Sequence, residues 1–414
     1  MNLDIVSIGD ELLIGHTLNT NAHWIAREVN KVGFSIRQQT TISDDENHIV
    51  KTLNESLNNV DVVLITGGLG PTNDDLTLPV LNKYFKGTLV EDQTVYQDIE
   101  RLVTERGFWM NENNKKQALV SDQCKVIRNE YGTAPGLWFE KDGKVVVAMP
   151  GVPFEMKGMI TKTVIPWLKE KYTLPEIVHQ LVYTQGIAES ILAEKLSGWE
   201  SNLPSVIKLA YLPSYDGVKL RLSSVGANKE QLQLAIDEQV ELLRKIIPES
   251  IYSTKEEKIE EVVGDLLRKN NATIATAESC TGGYISHLIT SVSGSSDYYR
   301  GSVISYANEI KIKELGVNED DLNKYGAVSQ QVVEQMASGV KKKMRTNYAL
   351  ATSGIAGPLG GSEEKPVGTV WVALATPKRV ISKKFLLGKD RERNILKAAS
   401  KALNMLRGEL VDIN

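Results

Sequence analysis

Three stretches of this 414-residue chain carry side chains whose types and spacing could do chemistry. The first is Gly67-Gly68-Leu69-Gly70-Pro71-Thr72-Asn73-Asp74-Asp75. Glycines at a strand end let the backbone approach a ligand and expose N–H groups that suit phosphate. Asp74 and Asp75 follow at once, and a hard divalent ion bridging carboxylate and phosphate would use such neighbours. Gly9-Asp10-Glu11 adds two carboxylates, so Asp10, Asp74 and Asp75 become candidate ligands. Gly132-Thr133-Ala134-Pro135-Gly136 would line a nearby wall, with Glu155 at the end of a further strand. The competing reading is a turn in which an aspartate caps the next helix.

The second stretch is Glu278-Ser279-Cys280-Thr281-Gly282-Gly283, between an expected strand and helix. Helix-start N–H groups there could stabilise an oxyanion near Ser279. No His-Asp pair is close in sequence, and His287 lies two turns on. Lys311 is the other candidate base, because a desolvated lysine can deprotonate serine. The alternatives are that Ser279 is a helix N-cap, that Lys311 is a solvated helix charge, or that Cys280 is the nucleophile. The third stretch, Ser353-Gly354-Ile355-Ala356-Gly357-Pro358, is a glycine-rich loop after a strand. It could hold a phosphate or a reacting carbonyl oxygen, or be an ordinary surface loop. It does not match the Walker pattern, and the five histidines form no zinc spacing, so neither ATPase nor zinc-hydrolase chemistry is indicated.

The elements that must position these residues follow from periodicity. Residues 3–8, 62–65 and 144–149 read as strands, with helices through Ala22, Ile25 and Val29 and through Ile49, Leu53 and Leu57. Alternation of buried strands and helices predicts an open parallel α/β sheet with ligands beyond the strand carboxyl ends. Residues 173–252 predict a small α+β unit, with strands at 177–183, 207–212 and 218–225 and a helix at 228–246. It has no catalytic cluster and reads as a spacer or dimerisation module. Ser253-Thr254-Lys255-Glu256 reads as a capping box opening a third domain. Strands at 272–277, 348–353 and 369–375 follow, then a closing helix at 395–406. The domains expected are thus 1–172, 173–252 and 253–414.

Composition narrows the setting. The chain is 42% hydrophobic and 24% charged, the profile of a globular protein rather than a disordered one. A net charge of −4 lacks the footprint expected for nonspecific nucleic-acid or membrane binding. Two cysteines, Cys124 and Cys280, build no disulfide framework, and no apolar run approaches membrane length. A cytoplasmic protein with neither nucleic acid nor membrane as partner is the expectation.

With these residues in place, the sequence resembles the competence- and damage-inducible CinA family over essentially its whole length. Gly9-Asp10-Glu11-Leu12-Leu13, the Gly67–Asp75 stretch, Met149-Pro150-Gly151-Val152-Pro153-Phe154-Glu155-Met156, Ala277–Gly283 and Ser353–Pro358 carry the likeness. The resemblance implies a molybdopterin-binding-like three-layer α/β domain, a KH-like α+β middle domain and a C-terminal α/β amidohydrolase domain. It implies hydrolysis of ADP-ribose to AMP and ribose 5-phosphate by the first domain with a divalent metal (Mg, Mn or Co) and K as a further ion. The runner-up is a pterin- or nucleotide-binding module without chemistry. For the last domain it implies hydrolysis of nicotinamide mononucleotide to nicotinate mononucleotide and ammonia, with no cofactor. Ser279 would be nucleophile, Lys311 base and Tyr306 the active-site tyrosine. Thr281, Gly282, Gly283, Ser353, Gly354, Gly357 and Arg391 would bind that substrate; Gly67, Gly68, Gly132, Thr133, Ala134 and Glu155 would bind the other. Family members are typically homodimers. Near the end this chain departs from the family pattern: Gly388-Lys389-Asp390-Arg391 has one extra residue, and Ile395 stands where a second arginine is usual.

Overall fold

Four parallel strands organise the first unit, which comprises Met1–Val178 with Val225–Leu232. In the computed structural model, which describes residues 1–72, 74–215 and 217–411, they lie in the order Ser35–Ile42, Asn2–Ile8, Val62–Thr66 and Lys144–Met149. Asn73 of the glycine–aspartate stretch, Asp216 and the last three residues of the expected third domain lie outside the described residues. The sheet is not purely parallel. Gly136–Lys141 and Cys124–Ile127 extend it antiparallel. The hairpin before Lys144 turns through Asp142 (φ 53°) and Gly143 (φ 79°), the two left-handed residues that a tight hairpin requires. Alternate strand residues feed two cores. Leu3, Ile5, Val62, Leu64, Val145 and Val147 pack against Ile25 and Val29 of helix Thr20–Lys31. Val6, Ile8, Val63, Ile65 and Val146 pack against Ile49 and Leu53 of helix Glu46–Asn59. These are the three layers.

The second unit takes in His179–Ser224 and the chain from Gln233 onward. Its four-stranded sheet runs Ile207–Pro213, Val218–Gly226, Glu176–Thr184, Ile251–Ser253. A five-stranded sheet runs Tyr299–Ile304, Ile274–Glu278, Tyr348–Gly354, Thr369–Ala375, Val380–Leu386. The first three of these are parallel and the last two antiparallel. Both outer strands went unread in the sequence, because each is an edge whose side chains are only partly buried and carry no continuous apolar run. One face of the sheet packs on helices Ile259–Lys269 and Arg391–Val411. The other presents Ala275, Ala277, Ala349, Ala351 and Ala373, small residues that admit helix Gln330–Met344.

The capping box expected at Ser253 is displaced. Ser253 ends a strand, and helix Ile259–Lys269 starts after Lys258, whose N–H donates to the Glu261 carboxylate at 2.7 Å. Middle and last segments of this unit are joined by buried polar contacts. Gln185 donates to Ser400, and Arg407 donates to the carbonyls of Glu249 and Ile251. Among the described residues no helix is long and apolar enough to cross a membrane.

Candidate functional site

In the first unit the parallel strands end at Ile8, Thr66 and Met149, and the loops beyond them enclose a cavity of about 390 Å³. Its floor requires glycine. Gly67 has φ 109°, and a Cβ there would lie 2.1 Å from the Ile8 carbonyl oxygen. Thr77 secures the loop, its hydroxyl donating to Gly67 O at 2.9 Å and its N–H to Gly68 O at 3.0 Å. Gly132 leaves room for Glu155, whose Cδ would stand 2.1 Å from an added Cβ. Asn129 clamps that wall: it donates to Glu155 at 2.6 Å and to Ala134 O, and accepts from the N–H groups of Tyr131 and Gly132.

Gly67, Gly68, Thr133, Ala134, Glu155, Asp74 and Asp75 all line this cavity. Asp10 does not; its N–H donates to Asp44, and Glu11 and Asp44 face the cavity instead. Asp75 caps a turn rather than the next helix, accepting from the Thr72 N–H at 2.9 Å and hydroxyl at 2.6 Å. Helix Thr77–Tyr84 starts without a side-chain cap. Glu11, Asp44, Asp74, Asp75 and Glu155 gather here, and no lysine or arginine lines the cavity among the described residues. Burial, followed by the charges of Asp10, Glu11 and Asp75, pushes the Asp44 carboxyl above its ordinary range. No three acidic, histidine or cysteine side chains among the described residues stand close enough to hold an ion by themselves. The donor set fits a magnesium-like ion that takes one or two carboxylates and completes its shell with water and substrate phosphate.

In the second unit Ser279 follows the strand Ile274–Glu278, its N–H bound to Thr352 O at 3.0 Å. It is not a helix N-cap. The next helix, Tyr284–Thr290, begins five residues later behind Gly283, and Gly282 and Gly283 take φ of 60° and 99° to make the intervening turn. Nor is Lys311 a solvated charge. It is 1% exposed, and its Nζ lies 3.2 Å from Ser279 Oγ while donating to Ser305 O at 2.7 Å and Tyr306 O at 3.2 Å. Burial lowers its pKa, and no carboxylate among the described residues pairs with it. Cys280 is also buried, which pushes its thiol up to about 12 and leaves it a poor nucleophile. His287 packs beside Tyr284 and makes no bond to Ser279.

Arg391 joins this group, donating to Gly357 O at 2.9 Å and to the Tyr306 hydroxyl at 3.2 Å. Asn394 ties the loops on either side through Ala356 O and Gly388 O. Other expected contacts are occupied by the scaffold. The Ser353 hydroxyl donates to Ala327 O at 2.6 Å, Gly354 lies close against Thr369 O, and the Thr281 hydroxyl is bound between Thr352 and Glu278.

Glu278, Asp44 and Asn129 escaped the sequence reading. Glu278 lies in the Glu278–Gly283 stretch, where the sequence places it between strand and helix and gives it no role of its own. Asp44 follows the strand Ser35–Ile42, whose polar, half-exposed residues hide it; reading that strand would have put Asp44 at a carboxyl end.

Three family models match the chain. Residues 4–170 match the family described as "Probable molybdopterin binding domain", residues 179–253 the damage-inducible protein CinA KH domain, and residues 256–410 the CinA C-terminal domain. A CinA-like protein of Cytophaga hutchinsonii is 46% identical over 410 residues, covering 99% of this chain and 98% of the relative. One from Flavobacterium psychrophilum is 46% identical over 413 residues, covering 99% of each. One from Nostoc punctiforme is 39% identical over 419 residues, covering 99% of this chain and all of the relative.

Proposed function

The chain belongs to the CinA family, and from that premise we propose that it is a pyridine-nucleotide recycling enzyme whose C-terminal site hydrolyses the carboxamide of nicotinamide mononucleotide. The observation that carries this reading is the buried Lys311 amine 3.2 Å from Ser279 Oγ, without a carboxylate partner among the described residues. A lysine held this way gives up its proton more readily than a solvated one and in neutral form can accept the serine proton. Ser279 Oγ attacks the carboxamide carbon while its proton passes to Lys311 Nζ. The tetrahedral intermediate collapses, the C–N bond breaks, and ammonia leaves with that proton. Water then cleaves the acyl-serine ester to nicotinate mononucleotide and free Ser279. Arg391, a permanent cation beside Tyr306, suits the substrate phosphate. The test is ammonia release from nicotinamide mononucleotide by the purified chain and its loss in Ser279→Ala.

For the N-terminal cavity the proposal is hydrolysis of ADP-ribose to AMP and ribose 5-phosphate. One or two carboxylates from among Asp74, Asp75, Asp44 and Glu11 would hold a divalent ion there, with water and the diphosphate completing its shell, and it would draw charge from the diphosphate. The missing three-ligand cluster favours a second reading, a nucleotide- or pterin-binding module without chemistry. Offering ADP-ribose with Mg, Mn or Co, with K, and with a chelator separates the two. The enzyme is further proposed to act as a homodimer, which light scattering tests.

A further inference from the structure

Ser279 and Lys311 account for nucleophile and proton, yet the most heavily bonded side chain beside them is Glu278. It is fully buried, and its carboxylate accepts five hydrogen bonds: from the N–H groups of Gly283, Ile285 and Ser286 at 2.8–3.1 Å, and from the hydroxyls of Thr281 (2.7 Å) and Thr276 (3.3 Å). Thr352 extends the chain through the Thr281 hydroxyl at 2.7 Å. A buried carboxylate without a cation persists only when hydrogen bonds replace its water, and here they all come from the turn after Ser279, the helix it enters and the strand before it.

This arrangement decides which N–H groups remain for a substrate oxygen. Those of Gly283, Ile285 and Ser286 are committed to Glu278, and that of Tyr284 to Thr281 O. The Ser279 and Gly282 N–H groups bind Thr352 O and Ser279 O. The helix start is therefore closed to an oxyanion, contrary to the expectation from sequence. No other residue among the described ones accepts from the N–H groups of Cys280 and Thr281, directly after the serine; the Cys280 N–H meets only its own thiol sulfur.

We propose that Glu278 is the positioning residue of the amide hydrolysis. It fixes the turn after Ser279 so that the Cys280 and Thr281 N–H groups stay open to the oxyanion formed in the attack. The inference rests on the assignment of Ser279 as nucleophile. Its test is Glu278→Gln in the full chain, which keeps the shape but sets an NH2 donor against N–H donors. Two readouts are taken: turnover of nicotinamide mononucleotide per titratable serine, and the labelling rate of Ser279 by a fluorophosphonate. In the labelling reaction an Oγ–P bond forms, fluoride leaves and Lys311 takes the serine proton. Loss of oxyanion donors predicts a fall in kcat of roughly 10²–10³-fold, a parallel fall in labelling rate, and KM within about threefold of wild type. A merely structural role would lower the melting temperature and the titratable fraction while leaving kcat per serine unchanged, which overturns the proposal. If Glu278→Gln does not fold, Thr281→Val removes one of the five bonds and the Thr352 link; a smaller kcat loss with unchanged KM supports the proposal, and wild-type kcat overturns it. A wild type that neither labels nor releases ammonia defeats the Ser279 assignment and this inference with it. A labelled, active wild type beside an unimpaired Glu278→Gln defeats this inference alone.

Discussion

Removing Ser279 and Lys311 singly and together distinguishes a catalytic pair from two buried polar groups that happen to touch. In Ser279→Ala the Lys311 amine loses one partner but keeps the carbonyls of Ser305 and Tyr306. One hydrogen bond to a charged group is worth about 1.5–3 kcal/mol. For a unit of this size that lowers the melting temperature by about 3–12 °C, too little to unfold it at 25 °C. Turnover should fall far more. Deleting a nucleophile from a working set costs roughly 10³-fold or more, about 4 kcal/mol of barrier. Because the attack needs the serine oxygen and the lysine lone pair in the same step, Lys311→Met should cost a similar factor and the double variant little more than either. The assay is continuous ammonia release with thermal melts on the same preparations. A Ser279→Ala protein that is destabilised but turns over at more than a tenth of the wild-type rate refutes the reasoning, as does a double variant whose losses multiply.

Four further outcomes follow from the geometry. Because burial depresses the Lys311 pKa below the ordinary 10.5 and the neutral amine is the reactive form, kcat/KM should rise with pH through that depressed value and fall as acid reprotonates the amine; Lys311→Arg, which stays charged, should not restore activity. The unfolded chain holds the Lys311 proton to higher pH than the folded one, so this residue's contribution makes the unit more stable as pH rises through the window between the two values, as urea titrations at several pH values would register. Asp44→Asn should abolish metal-dependent ADP-ribose hydrolysis with the amidase intact, and in wild type the half-saturating metal concentration should fall as pH rises through the raised Asp44 pKa; a metal requirement unchanged by the substitution counts against a cation site there. A fragment starting at Ser253 should melt below one starting at His179, because Arg407 loses the Glu249 and Ile251 carbonyls and Ser400 loses Gln185; equal melting temperatures would show these contacts to be dispensable.

Much of this arrangement was legible because the chemistry sits where continuous apolar strands stop. Val62–Thr66 and Lys144–Met149 are almost wholly buried, so their apolar runs and the glycine or proline after them mark both the strand and the mouth of the site. The edge strands Ser35–Ile42, Tyr299–Ile304 and Val380–Leu386 carry no such signal, since an edge buries only part of its surface. Asp44 was lost with the first of them. Lys311 was visible as a residue but its burial was not, because a lysine on a helix reads the same whether its face meets water or a strand end. The capping box at Ser253 failed because an equally local signal competes with it: Glu261 accepts from the Lys258 N–H and opens the helix where the buried face of Ile259 and Val263 begins.

The two candidate sites also differ in the charge each leaves uncompensated, and that difference bears on what each can accept. Around the first cavity carboxylates crowd without a lining lysine or arginine among the described residues, and Asp44 is held toward its protonated form by burial and its neighbours. Such a cavity repels a bare diphosphate. On the proposed reading it would accept one only with a cation, which would make metal a condition of diphosphate binding and not just of catalysis. At Ser279 the groups without an ionic partner are a lysine held toward its neutral form and the Glu278 carboxylate, which is closed off by its own hydrogen bonds, and the permanent positive charge belongs to Arg391, which touches Tyr306 and Gly357 rather than the serine. On the proposed reading an anionic substrate would be drawn to Arg391 without a metal, while its carboxamide would meet a serine hydroxyl and an amine held toward its neutral form. Removing metal should abolish the first activity and leave the second untouched, and an amidase that stopped in chelator would contradict this separation of charge.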